Sequence, residues 1–342
     1  MARPTTAPLS GVRVLDLSIW RPGPYATSLL CALGADVLKV EPPGGDPMRQ
    51  YTGLFEAINA GKRSVVLNLN DPDDRARALE LAAEADALVE GFRPGVMARL
   101  GLDEPVVRAV NPDIVYCSIS GYGQRDPRAA LPGHDVNYQA WAGALAPEGG
   151  RAALPRIPSA DLASGLAAAF GISASLLGRR SSGEGTYLDV SMTDVMATWT
   201  GSTGASSEGG ASADGAVPGY GLFPTADGHE VALGVLNEQH FWSALCAELG
   251  LTDVAALDWT ERSERGDALQ AAVAEAVARR ERDELVAALA AAGVPVSPVL
   301  DRAAMVASAP FPAFPIRLPA PVATGAVPNL DEHRGQGFRV RG

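Results

Sequence analysis

The chain has 342 residues with 28 Lys or Arg against 40 Asp or Glu, a formal charge of −12, and 47% of its residues are hydrophobic. That composition is globular, with room for two domains, and it excludes a disordered or fibrous chain. The charge argues against nucleic acid or an anionic membrane as partner, and without an 18-residue apolar run or a signal-peptide core the expected setting is cytoplasmic.

The first half alternates apolar runs with helical segments. Val12–Leu17 reads as a buried strand, followed by the turn Arg21-Pro22-Gly23-Pro24 and a helix over Tyr25–Leu33 that Gly34 stops. Asp36–Val40 and Ser64–Leu69 are two more strands. Asp71-Pro72 then opens a helix through Arg75–Ala85, with an acid at the N-cap and proline in the first turn. Ala87–Phe92 and Ile114–Ser120 are further strands. Strands separated by helices give right-handed βαβ units and a parallel sheet covered on both faces, a Rossmann-like α/β domain. No Gly-x-Gly-x-x-Gly follows the first strand, so a dinucleotide site is not expected.

Asp161–Arg179 is a long small-residue helix, and Thr186–Met192 another strand. Gly201–Gly219, rich in Gly, Ser and Ala, reads as a linker or mobile loop. Tyr220–Pro224 and His229–Val235 flank an Asp-Gly hairpin turn. Helices over Phe241–Gly250 and Ala268–Ala292, with an extended stretch at Val294–Leu300, complete a smaller α+β domain. The expected division is 1–199, 200–305, and a C-terminal segment 306–342 that returns to the first domain.

Cys31, Cys117 and Cys246 stand apart with no Cys-x-x-Cys pair and read as small buried hydrophobes. Neither a metal site nor a disulfide framework is expected. His229 and His240 read as surface or packing residues and His333 as part of the tail. The chain has two lysines, Lys39 and Lys62, and no Lys or Arg between Arg180 and Arg262. A phosphorylated ligand therefore belongs on the N-terminal part.

Pro8–Leu17, Pro22-Gly23-Pro24, Leu33–Glu41, Asn59–Leu69, Glu90–Gly95, Ser120–Gln124, Thr225–Gly228 and Pro328–His333, in that order, resemble the family III CoA-transferase superfamily. Gly133-His134-Asp135-Val136-Asn137-Tyr138 looks like the Gly-His-Asp-x-Asn-Tyr signature of its α-methylacyl-CoA racemases. Ser159–Gly165 matches the segment that carries the superfamily's catalytic aspartate, here Asp161. The resemblance implies an acyl-CoA thioester substrate, no separate cofactor, and a homodimer of interlocked chains. It points to Lys39, Arg63, Val66, Leu67, Asn68, Leu69, Arg93, Arg99, Gly133 and Tyr138 as CoA contacts. Racemases of this type usually carry arginine where Pro42 stands, which moves the phosphate contacts toward Arg63, Arg93 or Arg99. Ser207–Ala211 is a faint echo of the transferases' glycine-rich loop.

The chemistry separates two activities. Racemisation of a 2-methylacyl-CoA or related branched acyl-CoA needs two acid/base groups on opposite sides of the α-carbon. His134 and Asp161 fill those roles, and Asp135 beside His134 is expected to orient the imidazole. Gly234–Glu238, which resembles the family's Gly-x-x-Glu segment with one extra residue, implies Glu238 as a second orienting acid. The enolate oxygen needs preorganised donors, and backbone N–H groups beside Asp161 at its helix start are the expected ones. A CoA-transferase needs Asp161 alone as nucleophile, passing through a mixed anhydride to an aspartyl-CoA thioester. The racemase is the leading expectation and the transferase its alternative. A non-catalytic acyl-CoA-binding subunit is a third.

Overall fold

The computed structural model describes residues 7–51, 53–145, 153–202, 216–308 and 325–339. The chain separates into two compact units, Met1–Ala205 with Phe314–Gly342, and Ser206–Ala313. Most of the loop expected over 201–219, and the glycine-rich echo at Ser207–Ala211, lie outside the described residues.

In the first unit, β1 (Arg13–Asp16), β2 (Asp36–Glu41), β3 (Arg63–Val66), β4 (Ala87–Glu90), β5 (Val115–Ser120) and β6 (Thr186–Ser191) form one sheet. Its order is β3-β2-β1-β4-β5-β6, and every neighbouring pair is parallel. The helices are α1 (Pro22–Ala32), α2 (Leu54–Asn59), α3 (Pro72–Glu84), α4 (Val96–Leu100), α5 (Glu104–Val110), α6 (Asp135–Trp141), α7 (Ser159–Ser182) and α8 (Met192–Ser202). Successive strand residues point to opposite faces, and both faces are covered, which is why the strands read as unbroken apolar runs. Val14, Val89 and Cys117 pack with α1 and α7 on one side. Leu15, Leu88 and Tyr116 pack with α3 on the other. Each fully buried aliphatic side chain contributes about 1.5–3 kcal/mol.

Several elements differ from the sequence reading. Helix α1 begins at Pro22, because prolines in a first turn lose no hydrogen bond. Strand β4 ends at Glu90, and α6 and α8 are helices where no helix was expected. Helix α7 has 24 residues and is apolar enough, by length and composition, to cross a membrane. Here one of its faces lies in the core. Ala163, Ala168 and Ile172 are buried there, and a Cβ on Gly165 would stand 2.6 Å from the Pro22 carbonyl oxygen. Only glycine lets α7 approach the Arg21-Pro22 turn that closely.

Strand β3 is a sheet edge, and the C-terminal segment covers it. The Val66 N–H donates to Asp331 Oδ1 at 2.9 Å, and the His333 N–H donates to the Ser64 carbonyl at 2.9 Å. This satisfies backbone groups that an open edge would leave free for pairing with another chain.

The second unit has the antiparallel strands β7 (Tyr220–Pro224), β8 (Glu230–Gly234) and β9 (Val296–Pro298), in that order. Its helices are α9 (Gln239–Leu249), α10 (Trp259–Glu264), α11 (Gly266–Val277), α12 (Arg282–Ala291) and α13 (Arg302–Ser308). Phe223, Val231, Trp242, Leu269 and Leu285 form its core. Gly228, at φ 76°, makes the hairpin turn that joins β7 and β8.

Beneath the carboxyl ends of β1 and β2 lies a buried ionic network. Lys62 Nζ donates to Asp16 Oδ2 (3.1 Å), the Pro24 carbonyl (2.8 Å), Thr27 Oγ1 (2.7 Å) and Asn59 Oδ1 (2.9 Å). Lys39 Nζ donates to the Ser18 carbonyl at 2.7 Å and pairs with Asp46 at 2.9 Å. Burial opposes the Asp16 charge, but the two ammonium groups and the Ser18 and Thr27 hydroxyls outweigh it and hold the carboxyl below its usual range. Burial pulls Lys62 downward in turn. Removing one ion leaves the other buried and unpaired, at a cost of about 3–5 kcal/mol. Lys62→Met is therefore expected to lose about that much in urea denaturation, and a loss below about 1 kcal/mol would contradict this account.

Candidate active site

Ligands of open parallel sheets sit beyond the carboxyl ends of the strands, where the strand order reverses. Here the reversal lies between β1 and β4. A cavity of about 750 Å³ lies in the first unit, lined by Ile19–Pro22 after β1, Gly91–Pro94 after β4 and Ser120–Gly121 at the end of β5. It brings together His134, Asp161, Arg93, Gly133 and Tyr138 from the expected site and adds Trp20, Arg21 and Asn137.

Asp161 stands in the first turn of α7, one helical turn before Gly165 and so on the same face. The Arg21 Nε lies 3.9 Å from Asp161 Oδ2. Burial, and then the neighbouring Asp135 charge, push the Asp161 carboxyl up to about 7 against the pull of Arg21. It is therefore divided between acid and anion near neutral pH.

Asp135, in the first turn of α6, reaches across to α7. Its Oδ1 accepts the N–H groups of Ala160 (2.8 Å) and Asp161 (3.1 Å), and its Oδ2 accepts Gln139 Nε2 at 2.6 Å. This corrects two expectations. Asp135 orients the start of α7 and not the His134 ring, and the two N–H groups expected to face an enolate oxygen are already bonded. The cause is local. Helix α7 has no side-chain cap of its own, so its free N–H groups take a carboxylate from outside.

His134 is the N-cap residue of α6, and its N–H donates to Asn137 Oδ1 at 3.0 Å. Tyr138 is buried, donates its hydroxyl to the Gly133 carbonyl at 2.6 Å, and meets Tyr122 edge to face at 5.3 Å. A Cβ on Gly133 would come within 2.7 Å of that ring, so the signature's glycine and tyrosine are a packed pair.

The other expected CoA contacts lie elsewhere. Lys39 is fully buried and paired with Asp46, which leaves it no face for a phosphate. Arg63 donates to the Gly337 carbonyl and to Gln336 Oε1, both at 2.8 Å, and so holds the C-terminal segment. Val66, Leu67 and Asn68 border a second hollow of about 450 Å³ with Arg77, Asp331 and Arg334. Leu69 is only partly buried beside the core below them, and Arg99 stands exposed on α4. Glu238 belongs to the second unit, where it is the N-cap residue of α9 and accepts the Leu236 N–H at 3.2 Å.

Trp20 and Arg21 were missed. Trp20 has φ 64°, a left-handed conformation rare for a bulky residue, and its N–H donates to Asp46 Oδ1 at 3.3 Å. The available signal was position, since both residues follow the first strand of a sheet whose order reverses there.

A family model described as CoA-transferase family III matches residues 9–316. The chain is 34% identical over 318 residues to an acetyl-CoA:oxalate CoA-transferase of Acetobacter aceti, covering 86% of this chain and 81% of that one. It is 32% identical over 280 residues to the α-methylacyl-CoA racemase of Homo sapiens, covering 75% and 70%. A crystal structure of a CaiB/BaiF family protein from Brucella suis matches with a TM-score of 0.83 and 29% identity, covering 96% of this chain and 97% of that one.

The raised Asp161 carboxyl makes a stability prediction. Between about pH 4 and 7 the folded state binds more protons at this residue than the unfolded chain, so wild-type stability falls as pH rises through that window. Asp161→Asn escapes this loss. The variant is expected to match the wild type near pH 4 and to exceed it by roughly 3–4 kcal/mol above pH 7. Denaturant titrations at pH 4, 6 and 8 check it, and a difference that does not grow with pH would refute it.

Proposed function

The chain belongs to CoA-transferase family III, and we propose that it moves CoA from an acyl-CoA thioester to a second carboxylic acid through a covalent thioester on Asp161. The observation that carries this reading is the engagement of Asp135 with the start of α7. Racemisation asks for a carboxyl group, an oriented imidazole and donors for an enolate. Asp135 and the Ala160 and Asp161 N–H groups, which would serve the second and third needs, are bound to each other. A transferase asks first for one desolvated carboxylate open to a cavity, which describes Asp161.

In this reading an Asp161 oxygen attacks the thioester carbonyl and CoA leaves as thiolate. The thiolate then attacks the Asp161 carbonyl of the resulting anhydride, which releases the donor acid and leaves aspartyl-CoA. Burial removes water that would otherwise solvate the nucleophile or hydrolyse the anhydride. CoA enters as part of the substrate. Arg93, Gly133 and Tyr138 are the CoA contacts retained from the expected set, since they border the cavity.

A racemase on His134 and Asp161 is the second reading, favoured because the two residues line one cavity and the carboxyl is raised to about 7, near an imidazole's range. The two readings separate cleanly. Incubation with acyl-CoA followed by borohydride is expected to reduce Asp161 to an alcohol detectable by peptide mass. Asp161→Ala is expected to abolish transfer, and His134→Ala to lower it far less. Deuterium entering C2 from D₂O, with no CoA reaching any free carboxylic acid, would replace the transferase with the racemase.

We also propose a homodimer. Leu166, Phe170 and Leu177 stand 50–75% exposed along one side of α7, an apolar stripe that water covers poorly and a second copy of the chain would cover well. Sedimentation velocity is expected to give twice the 35.4 kDa chain mass. Phe170→Glu with Leu177→Glu is expected to shift the protein toward monomer, and a wild-type monomer would refute the proposal.

A further inference from the structure

We propose that Arg21 is a catalytic residue of the CoA transfer, its guanidinium receiving the oxyanion that forms at the Asp161 carbonyl. The proposal rests on the transferase reading and adds a residue to it. Attack on aspartyl-CoA drives the thioester carbonyl electrons onto its oxygen, so a tetrahedral oxyanion needs a donor within reach of Asp161. Two backbone groups at the start of its own helix are engaged, since the Ala160 and Asp161 N–H groups both donate to Asp135. The Leu162 N–H donates to the Pro158 carbonyl. Arg93 borders the same cavity, but Arg21 is the cation paired with Asp161 among the described residues.

The geometry of Arg21 suits the task. Its Nε stands 3.9 Å from Asp161 Oδ2, close enough for attraction and too far for a hydrogen bond. Among the described residues no hydrogen bond holds the guanidinium, so its N–H groups remain free for an oxyanion or an incoming carboxylate. Its backbone is fixed from three sides. Lys39 holds the Ser18 carbonyl, Asp46 holds the Trp20 N–H, and the Arg21 carbonyl accepts the Tyr25 N–H at 2.8 Å. A preorganised donor of this kind costs no reorganisation when the charge appears.

The step balances without a further reactant. An acceptor carboxylate oxygen bonds to the aspartyl thioester carbon, and the displaced π pair becomes the oxyanion facing Arg21. Collapse breaks the C–S bond and releases CoA thiolate. That thiolate attacks the acceptor's acyl carbon, the anhydride C–O bond breaks, and Asp161 returns as carboxylate beside Arg21.

The test compares the wild type with Arg21→Leu, Arg21→Lys and Arg21→Ala in the full-length protein. The probes are acetyl-CoA and a panel of mono- and dicarboxylates, with thermal melts to verify folding. Arg21→Leu is expected to lose about 10²–10³-fold in kcat, the usual loss for one oxyanion donor, with acetyl-CoA Kd within about threefold of wild type. Arg21→Lys should fall between the two, and millimolar guanidinium should restore part of the rate to Arg21→Ala. A purely structural ion pair would give neither rescue nor a loss confined to kcat. Folded Arg21→Leu turning over at the wild-type rate overturns the proposal, and so does a loss appearing only in acetyl-CoA Kd. If the wild type transfers no CoA but exchanges an α-proton, the transferase reading fails separately. Arg21 is then judged on exchange, where the same charge would face the enolate, and an unchanged rate in Arg21→Leu overturns it.

Discussion

Lys39 and Lys62 are the chain's only lysines, and both lie where water does not reach, held by oxygens of Asp16, Ser18, Pro24, Thr27, Asn59 and Asp46. Taking such ions out of water costs several kcal/mol each, and only close, well-directed partners offset it. Those partners bracket the turn after β1. Asp16 ends the strand, Ser18 begins the turn, and Pro24 and Thr27 belong to the first turns of α1. The network therefore admits few conformations of the segment between them. One consequence is that Trp20 is held at positive φ, a conformation the chain would leave if the Asp46 and Lys39 contacts loosened. Another is that Arg21 leaves the turn on the side where α7 begins.

Helix α7 meets this fixed turn through Gly165, whose missing side chain admits the Pro22 carbonyl. Residues four apart on a helix share a face, so the contact at 165 determines where 161 stands. Asp135 then sets the end of the helix by accepting its first N–H groups. Three separate stretches, 16–27, 135–139 and 160–165, thus define the surroundings of one carboxyl group. Its raised pKa follows from that construction. The turn and the helix shield it from water, and the anion that caps the helix also repels its charge.

The parallel sheet was legible because strands buried on both faces leave unbroken apolar runs, and the helices between them carry Asp71-Pro72 and Gly34 as end markers. Ordered local strings singled out Asp161 and His134, and the fold brings the two to one cavity. The errors have a common physical origin. Lys39 and Arg63 were read as CoA contacts because a cation in a sequence carries no sign of its burial, and the partners that claim them, Asp46 and Gln336–Gly337, lie 7 and more than 270 residues away. Asp135 was given to its neighbour His134, whereas in the fold it crosses to Ala160 and Asp161. Arg21 matched no motif. Its meaning comes from a contact with a residue 140 positions later, and no local pattern encodes that.

The same pair of residues, an imidazole at 134 and a carboxyl at 161, is compatible with proton transfer or with nucleophilic attack, so the surrounding donors decide between them. A carboxyl raised by burial serves as an acid/base near neutrality, and once ionised it is also a poorly solvated nucleophile. What differs is the charge that must be received next. An enolate oxygen develops on the substrate, away from Asp161, whereas in the steps that form and break aspartyl-CoA the oxyanion develops on the Asp161 carbonyl itself. Among the described residues the Ala160 and Asp161 N–H groups are occupied by Asp135, and the Arg21 guanidinium, held by no hydrogen bond, stands 3.9 Å from the aspartate oxygen. That places one positive charge beside the atom on which the proposed transfer would build up the oxyanion of aspartyl-CoA, and the nearby GHDxNY string does not change that distribution.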